Sequence, residues 1–290
     1  MIDAKSVAEL RAKTGAGMMD CKKALTETNG NMEAAVDYLR EKGIAKAAKK
    51  ESRIAAEGLA NIYVSGNKAV IIEVNSETDF VSKNEEFTSM LDTIGNTILN
   101  SEVTTLEDAL NLSTDEGTIS ELIVAKTAKI GEKLSLRRIQ VVEKSDSENF
   151  GSYLHMGGKI AVLTVIEGAN EEVARDVAMQ AAAMKPEYVT EEEIPEERVE
   201  KEKNIFKEQA MNEGKPADIA EKMVEGRIKK FFKEICLIHQ AFIKDGDIDV
   251  ATYVKNSGGE VKKMVRFEVG EGMEKRNDNF AEEVMNQING

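Results

Sequence analysis

The sequence predicts an α+β protein built from an N-terminal three-helix module, a core of two similar α+β subdomains, an inserted antiparallel helical hairpin and a C-terminal helix. Three observations predict it. Short apolar stripes at helical spacing, separated by Gly and Asn stops, fill residues 1–42. A hairpin–loop–helix pattern then occurs twice, with Lys68 falling on Lys159 and Val70–Val74 on Ala161–Val165. All three prolines lie between Pro186 and Pro216, beside two amphipathic stripes. The expected domains are 1–54, the module and a basic linker; 55–145, the first core subdomain; and 146–290, the second, with the hairpin at about 196–240.

The module is expected to hold three short helices. The first, about Ser6 to Lys13, ends at Thr14-Gly15-Ala16-Gly17. The second, about Met18 to Thr28, carries Met18, Cys21, Ala24 and Leu25 and stops at Asn29-Gly30. Asn31 is a suitable N-cap for the third, whose stripe is Ala35, Val36 and Leu39 and which Gly43 closes. About 40 residues bury a marginal core, so the module needs something larger. Residues 44–57, with Lys46, Lys49, Lys50 and Arg53 among alanines, read as a helical linker with a solvated basic face.

Leu59–Ser65 and Ala69–Asn75 alternate as strands around Gly66-Asn67-Lys68, a hairpin signal. The polar stretch Ser76–Asn84 leads into a helix from about Glu85 to Leu99. Leu134–Glu143 is a further strand, Gly151–Ile166 a second hairpin, and Glu171–Met184 a helix. The glutamate-rich segment from Glu187 to Glu202 is expected to be solvated and helical. Beyond it, Val199, Phe206, Ala210 and Met211 face a second stripe, Ile219, Met223, Val224, Phe231, Phe232 and Ile235, across a Gly214-Lys215-Pro216 turn. Such a pair either packs on the core or projects as a coiled-coil arm, through which a homodimer is conceivable. Val261–Val269 returns as a strand, and Phe280, Val284 and Ile288 mark a last helix.

Composition narrows the function. Of 290 residues 41% are hydrophobic, enough to bury a core, and no apolar run approaches the roughly 18 needed to span a bilayer. With 39 basic and 53 acidic residues the net charge is −14, which disfavours phosphate backbones, so no direct nucleic-acid partner is expected. The N-terminus lacks a signal-peptide layout, and two cysteines form no CxxC; a reduced, cytoplasmic protein is expected.

Catalytic parts are absent from the pattern. His155 and His239 sit in no metal-ligating spacing, so no metal and no cofactor is expected. Gly158-Lys159 lacks the earlier glycine and the Ser/Thr of a phosphate loop. No acid–base or nucleophile set converges, so the chain is not expected to be an enzyme of covalent chemistry. Phe80 is the unusual residue: an aromatic in a polar loop, where the second copy has only Ala169, Asn170 and Glu171. Phe80 and Val81 are either a cap on the following helix or an exposed apolar probe for a partner.

Several stretches resemble the bacterial elongation factor Ts family. They are Leu10 to Leu25 (LRAKTGAGMMDCKKAL), Glu73-Val74-Asn75 with Thr78-Asp79-Phe80-Val81, His155 to Leu163 (HMGGKIAVL), Lys185-Pro186, Met223 to Arg227, and Val265 to Gly272. The first 40 residues also resemble ubiquitin-associated domains. The family resemblance implies a guanine-nucleotide exchange factor for elongation factor Tu, bound in its GDP-loaded and nucleotide-free states. It further implies that Thr78, Asp79, Phe80 and Val81, continued by Ser82 and Lys83, push into the GTPase near its magnesium. It implies that Arg11, Met18 and Met19 of the module grip the GTPase, and that His155 touches another of its domains. A rival class is an adaptor that binds partners through residues 1–42, which leaves the Phe80 loop unexplained.

Overall fold

A computed structural model describes residues 2–214 and 216–274. The fold is α+β, and the chain divides into two compact units. The first comprises Met1–Tyr63, Val70–Val141 and the segment from Glu268; the second comprises Val64–Ala69 and Val142–Phe267.

The first unit opens with α1 (Ala4–Thr14), α2 (Met18–Glu27) and α3 (Met32–Ala48). Asp3 caps α1 by accepting the Ser6 N–H at 2.6 Å, and Asn31 caps α3 by accepting the Ala34 N–H at 3.0 Å. Gly15, at φ 64°, takes the left-handed conformation that stops α1. Val7, Leu10, Cys21, Ala24, Leu25 and Ala35 form the small core. Met18, expected in that stripe, lies outside it and is 55% exposed.

One expectation fails here. Gly43 does not end α3, which continues through the Ile44–Ala48 run of helix formers. The glycine serves contact instead: a Cβ there would lie 3.4 Å from the Cβ of Ala128 on α7, the helix against which α3 packs. The basic segment is largely exposed, as expected, though helical only to Ala48, and its cations find partners at the surface. Lys46 pairs with Asp20 at 2.9 Å, Lys50 donates to the Gly131 carbonyl at 2.6 Å, and Arg53 pairs with Glu77 at 3.2 Å.

The rest of this unit runs β1 (Glu57–Ser65), β2 (Lys68–Ser76), α4 (Asp79–Ser82), α5 (Glu85–Leu99), α6 (Leu106–Leu110), the two-residue strands β3 (Ser113–Thr114) and β4 (Gly117–Thr118), α7 (Ile119–Ile130) and β5 (Ser135–Glu143). The sheet order is β1-β2-β5. Phe87, Met90, Leu91, Ile94 and Ile98 recur along one face of α5 and meet Val70, Ile72 and Val74 of β2 and Leu122 of α7 in the core. A reciprocal Thr118/Glu121 capping box starts α7.

The second unit repeats the order. β6 (Glu148–His155) and β7 (Ile160–Glu167) form an antiparallel hairpin, followed by α8 (Glu171–Met184). After the insert α9 (Glu196–Asn212) and α10 (Ala217–Ile235) come β8 (Ala241–Phe242), β9 (Asp245–Asp249), α11 (Val250–Asn256) and β10 (Glu260–Glu268), in sheet order β10-β7-β6. In each unit a hairpin, a helix, a small two-stranded ladder, a second helix and a third strand follow one another, and the third strand lies beside the second. Val162, Ile166, Val173, Val177, Leu237, Val250 and Val254 lie in the second core.

The insert's helices run antiparallel. Arg198 at the start of α9 lies 5.7 Å from the Phe231 ring near the end of α10, and Arg227 meets Glu213 at 2.7 Å. A parallel bridge of Tyr188 to Cys236 and a cluster of Ile194, Ile235, Cys236, Val199, Phe231 and Phe232 close its base. The glutamate-rich segment is helical only from Glu196; before it come a 3-10 turn at Glu191–Glu193 and buried Val189 and Ile194. The last helix expected at Phe280, Val284 and Ile288 lies outside the described residues. Among the described residues no helix is long and apolar enough to cross a membrane.

Candidate functional site: an exposed aromatic on a clamped turn

In the first unit residues 77–84 join β2 to α5, whereas in the second residues 168–170 suffice to join β7 to α8. The longer connection contains the single helical turn α4, where the sequence suggested a loop. Here Phe80 and Val81 part. Val81 packs against the core of the first unit, while Phe80 is 79% exposed. Val81 thus follows the first reading, packing inward, and Phe80 has the exposure that the second requires.

A helix of one turn cannot hold its own geometry, because nucleation is unfavourable without outside contacts. Local bonds surround it. The Ser82 hydroxyl, buried, donates to the Asp79 carbonyl at 2.7 Å, and Lys83 pairs with the Asp79 carboxylate at 3.1 Å. The Ser76 hydroxyl donates to the Thr78 carbonyl at 2.9 Å. Asn84 then caps α5 by accepting the Glu86 N–H at 2.8 Å.

The other anchors come from the α7–β5 connection. Gly131, at φ 91°, ends α7 in the left-handed conformation and turns the chain. Beyond it, Glu132 accepts the Thr78 N–H at 3.0 Å and the Thr78 hydroxyl at 2.7 Å. The Lys133 N–H donates to Glu77 at 2.6 Å, and Arg53 donates to the same carboxylate. Sequence reasoning missed Glu132, Lys133, Glu77 and Arg53 because no local spacing links them. The available signal was Gly131, a helix stop followed at once by a charged pair.

The module's candidates gather around the α1–α2 turn. Arg11 is exposed in the last turn of α1, and Met18 and Met19 are exposed in the first turn of α2, Met19 at 76%. Thioethers on flexible stems form an adaptable apolar surface. Lys129 of α7 connects this turn to the start of α5. A Cβ on Gly15 would meet its ammonium at 2.8 Å, and that ammonium pairs with Glu86 at 2.6 Å. Hydrogen bonds from Lys129 and then Lys126 hold the Glu86 carboxyl below the usual carboxylate range.

In the second unit His155 ends β6, opposite Ile160. It is exposed, with its ring 6.1 Å from that of Tyr153. Met156 at φ 50° and Gly157 at φ 65° carry the chain round the hairpin, and Met156 is exposed. Among the described residues no group of three His, Cys, Asp or Glu side chains is arranged to hold a metal ion.

Comparison with known proteins agrees with the motif-level resemblance. The family model described as "Elongation factor TS" matches residues 77–271, a stretch that begins at the clamped turn. A curated relative named "Elongation factor Ts", from Limosilactobacillus fermentum (strain NBRC 3956 / LMG 18251), is 54% identical over 288 residues, covering 99% of each chain. The chain belongs to the elongation factor Ts family.

Proposed function

We propose that this chain is a guanine-nucleotide exchange factor of translation elongation, which binds elongation factor Tu and promotes GDP release without covalent chemistry. Family membership supports the class of activity. The observation that carries the mechanism is Phe80: a large apolar side chain held in solvent by a turn that the core and α7–β5 connection anchor. A soluble protein gains nothing by ordering an exposed aromatic unless a partner covers it.

The mechanism is competitive. GDP is held on its GTPase largely through electrostatics, by magnesium and a phosphate-cradling backbone. Phe80, supported by Thr78, Asp79, Val81, Ser82 and Lys83, enters near that site and displaces groups that hold the metal. By linkage, whatever factor the protein subtracts from GDP affinity, GDP subtracts from the protein's own affinity. The empty GTPase is therefore bound tightly and the loaded form loosely. Arg11, Met18 and Met19 supply a grip from the ubiquitin-associated-like module, and His155 a contact from the second core subdomain. The α9–α10 hairpin acts as a coiled-coil arm. The domains are the module at 1–54 and core subdomains at 55–145 and 146–290. The protein works in the cytoplasm, and its acidic surface keeps nucleic acid at a distance.

The test is release of a fluorescent GDP analogue from elongation factor Tu, chased with unlabelled nucleotide. Substoichiometric protein is expected to accelerate release. Binding without acceleration would favour the adaptor class and overturn the proposal.

A further inference from the structure

We infer that Glu132 is a positioning residue for exchange: its carboxylate fixes the turn that presents Phe80. The inference rests on the exchange reading above and adds a residue on a different element from the Phe80 motif. Thr78 occupies the N-cap of α4, yet its hydroxyl makes no capping bond to that helix. It donates outward instead, to Glu132 at 2.7 Å, while its backbone N–H donates to the other oxygen of the same carboxylate at 3.0 Å. One side chain thus takes both donors of the residue at which α4 begins. Glu77 and the Lys133 N–H make the adjacent bond at 2.6 Å, so residues 77–78 and 132–133 are tied together at two places.

The geometry has a consequence for binding. A turn of four residues, with Phe80 in solvent, has a single apolar anchor in the half-buried Val81. Without the Glu132 bonds, the turn samples orientations in which Phe80 misses its target, and ordering it is charged against binding. Glu132 need not touch the partner for this to matter. Its effect on exchange passes through Phe80, and that dependence is measurable.

The experiment is a double-mutant cycle on stimulated GDP release, using full-length protein and elongation factor Tu, with thermal melting of each variant. Gln at 132 keeps an acceptor for the Thr78 N–H and can only donate to the Thr78 hydroxyl, so both bonds lose the carboxylate's charge assistance. Glu132→Gln is expected to lower the second-order rate of exchange about fivefold to tenfold, on the scale of one hydrogen bond, with melting nearly unchanged. Thr78→Val, which removes only the hydroxyl, is expected to act in the same direction, and Thr78→Ser to behave as wild type. In a Phe80→Ala background, Glu132→Gln is expected to have no further effect. If Phe80→Ala slows exchange but Glu132→Gln and Thr78→Val do not, the inference fails and the exchange reading stands. If Glu132→Gln has its full effect in the Phe80→Ala background, Glu132 acts elsewhere and the inference also fails. If Phe80→Ala itself changes nothing, the exchange mechanism falls and takes the inference with it.

Discussion

Phe80 and Val81 are neighbours on one helical turn and face opposite environments, Val81 half-buried against the core of its unit and Phe80 in solvent. Their truncations should therefore separate. Phe80→Ala is expected to change unfolding free energy by well under about 1 kcal/mol. Val81→Ala should lose about 1 kcal/mol or more, and Phe87→Ala, in the fully buried stripe of α5, about 3–5 kcal/mol. Denaturant midpoints at constant m-value measure all three.

Gly95 lies inside α5, where alanine would ordinarily stabilise the helix by up to about 1 kcal/mol. The structure reverses the expectation, because a Cβ there would come within 1.9 Å of the Tyr63 ring on β1. The Tyr63 hydroxyl donates to Asp92 on the same helix at 2.8 Å and holds the ring in place. Gly95→Ala should therefore destabilise, by about 1–3 kcal/mol as other overpacked sites do. Combination with Tyr63→Ala should recover part of the loss. A stabilised single variant by calorimetry would mean that the ring moves aside freely.

Glu73 is fully buried, and burial alone would raise its pKa. The Gly270 N–H at 2.9 Å, with Arg137 at 2.9 Å and Arg138 at 2.6 Å, outweighs burial and holds the carboxyl below its usual range. A carboxyl with a depressed folded-state pKa stabilises fully above its unfolded value, about 4.3, and this stability is lost as pH falls through the folded value. Acid titration of stability should show this loss in the wild type and lack it in Glu73→Gln. The variant should also lose about 3–5 kcal/mol near neutral pH, since two guanidinium groups lose their counter-charge.

The helical hairpin carries no match to the Thr78–Val81 motif. Replacing residues 200–228 with a short Gly/Ser linker leaves the base cluster of Ile194, Ile235 and Cys236 and the core residue Leu237 in place. This variant is expected to fold and to slow GDP release less than Phe80→Ala does. Stopped-flow release with the two variants side by side decides it.

Much of the fold was legible because local signals and tertiary structure agree. The α5 and α8 spans match the expected helices at about Glu85 to Leu99 and at Glu171–Met184, and in the structure Asn84 and Asn170 cap them. The duplication, faint in sequence, reappears as two sheets with the same strand order. What failed was decided by distant partners. Gly43 reads as a stop, yet α7 takes it as a contact point. Lys46, Lys50 and Arg53 read as a solvated face and are largely exposed, but their partners Asp20, the Gly131 carbonyl and Glu77 left no local signal. At the candidate site Phe80 stood out as an aromatic among polar residues. Glu132 did not, because a carboxylate after a helix stop is ordinary until the fold brings Thr78 to it.

The most direct measurement is the second-order rate of GDP release from elongation factor Tu driven by the Phe80→Ala variant, compared with wild type at equal, subsaturating folded concentration. The account predicts a loss of about thirtyfold or more, the scale of a buried aromatic anchor worth about 2 kcal/mol in the complex, with an unchanged unfolding midpoint. Release within about twofold of wild type would contradict it.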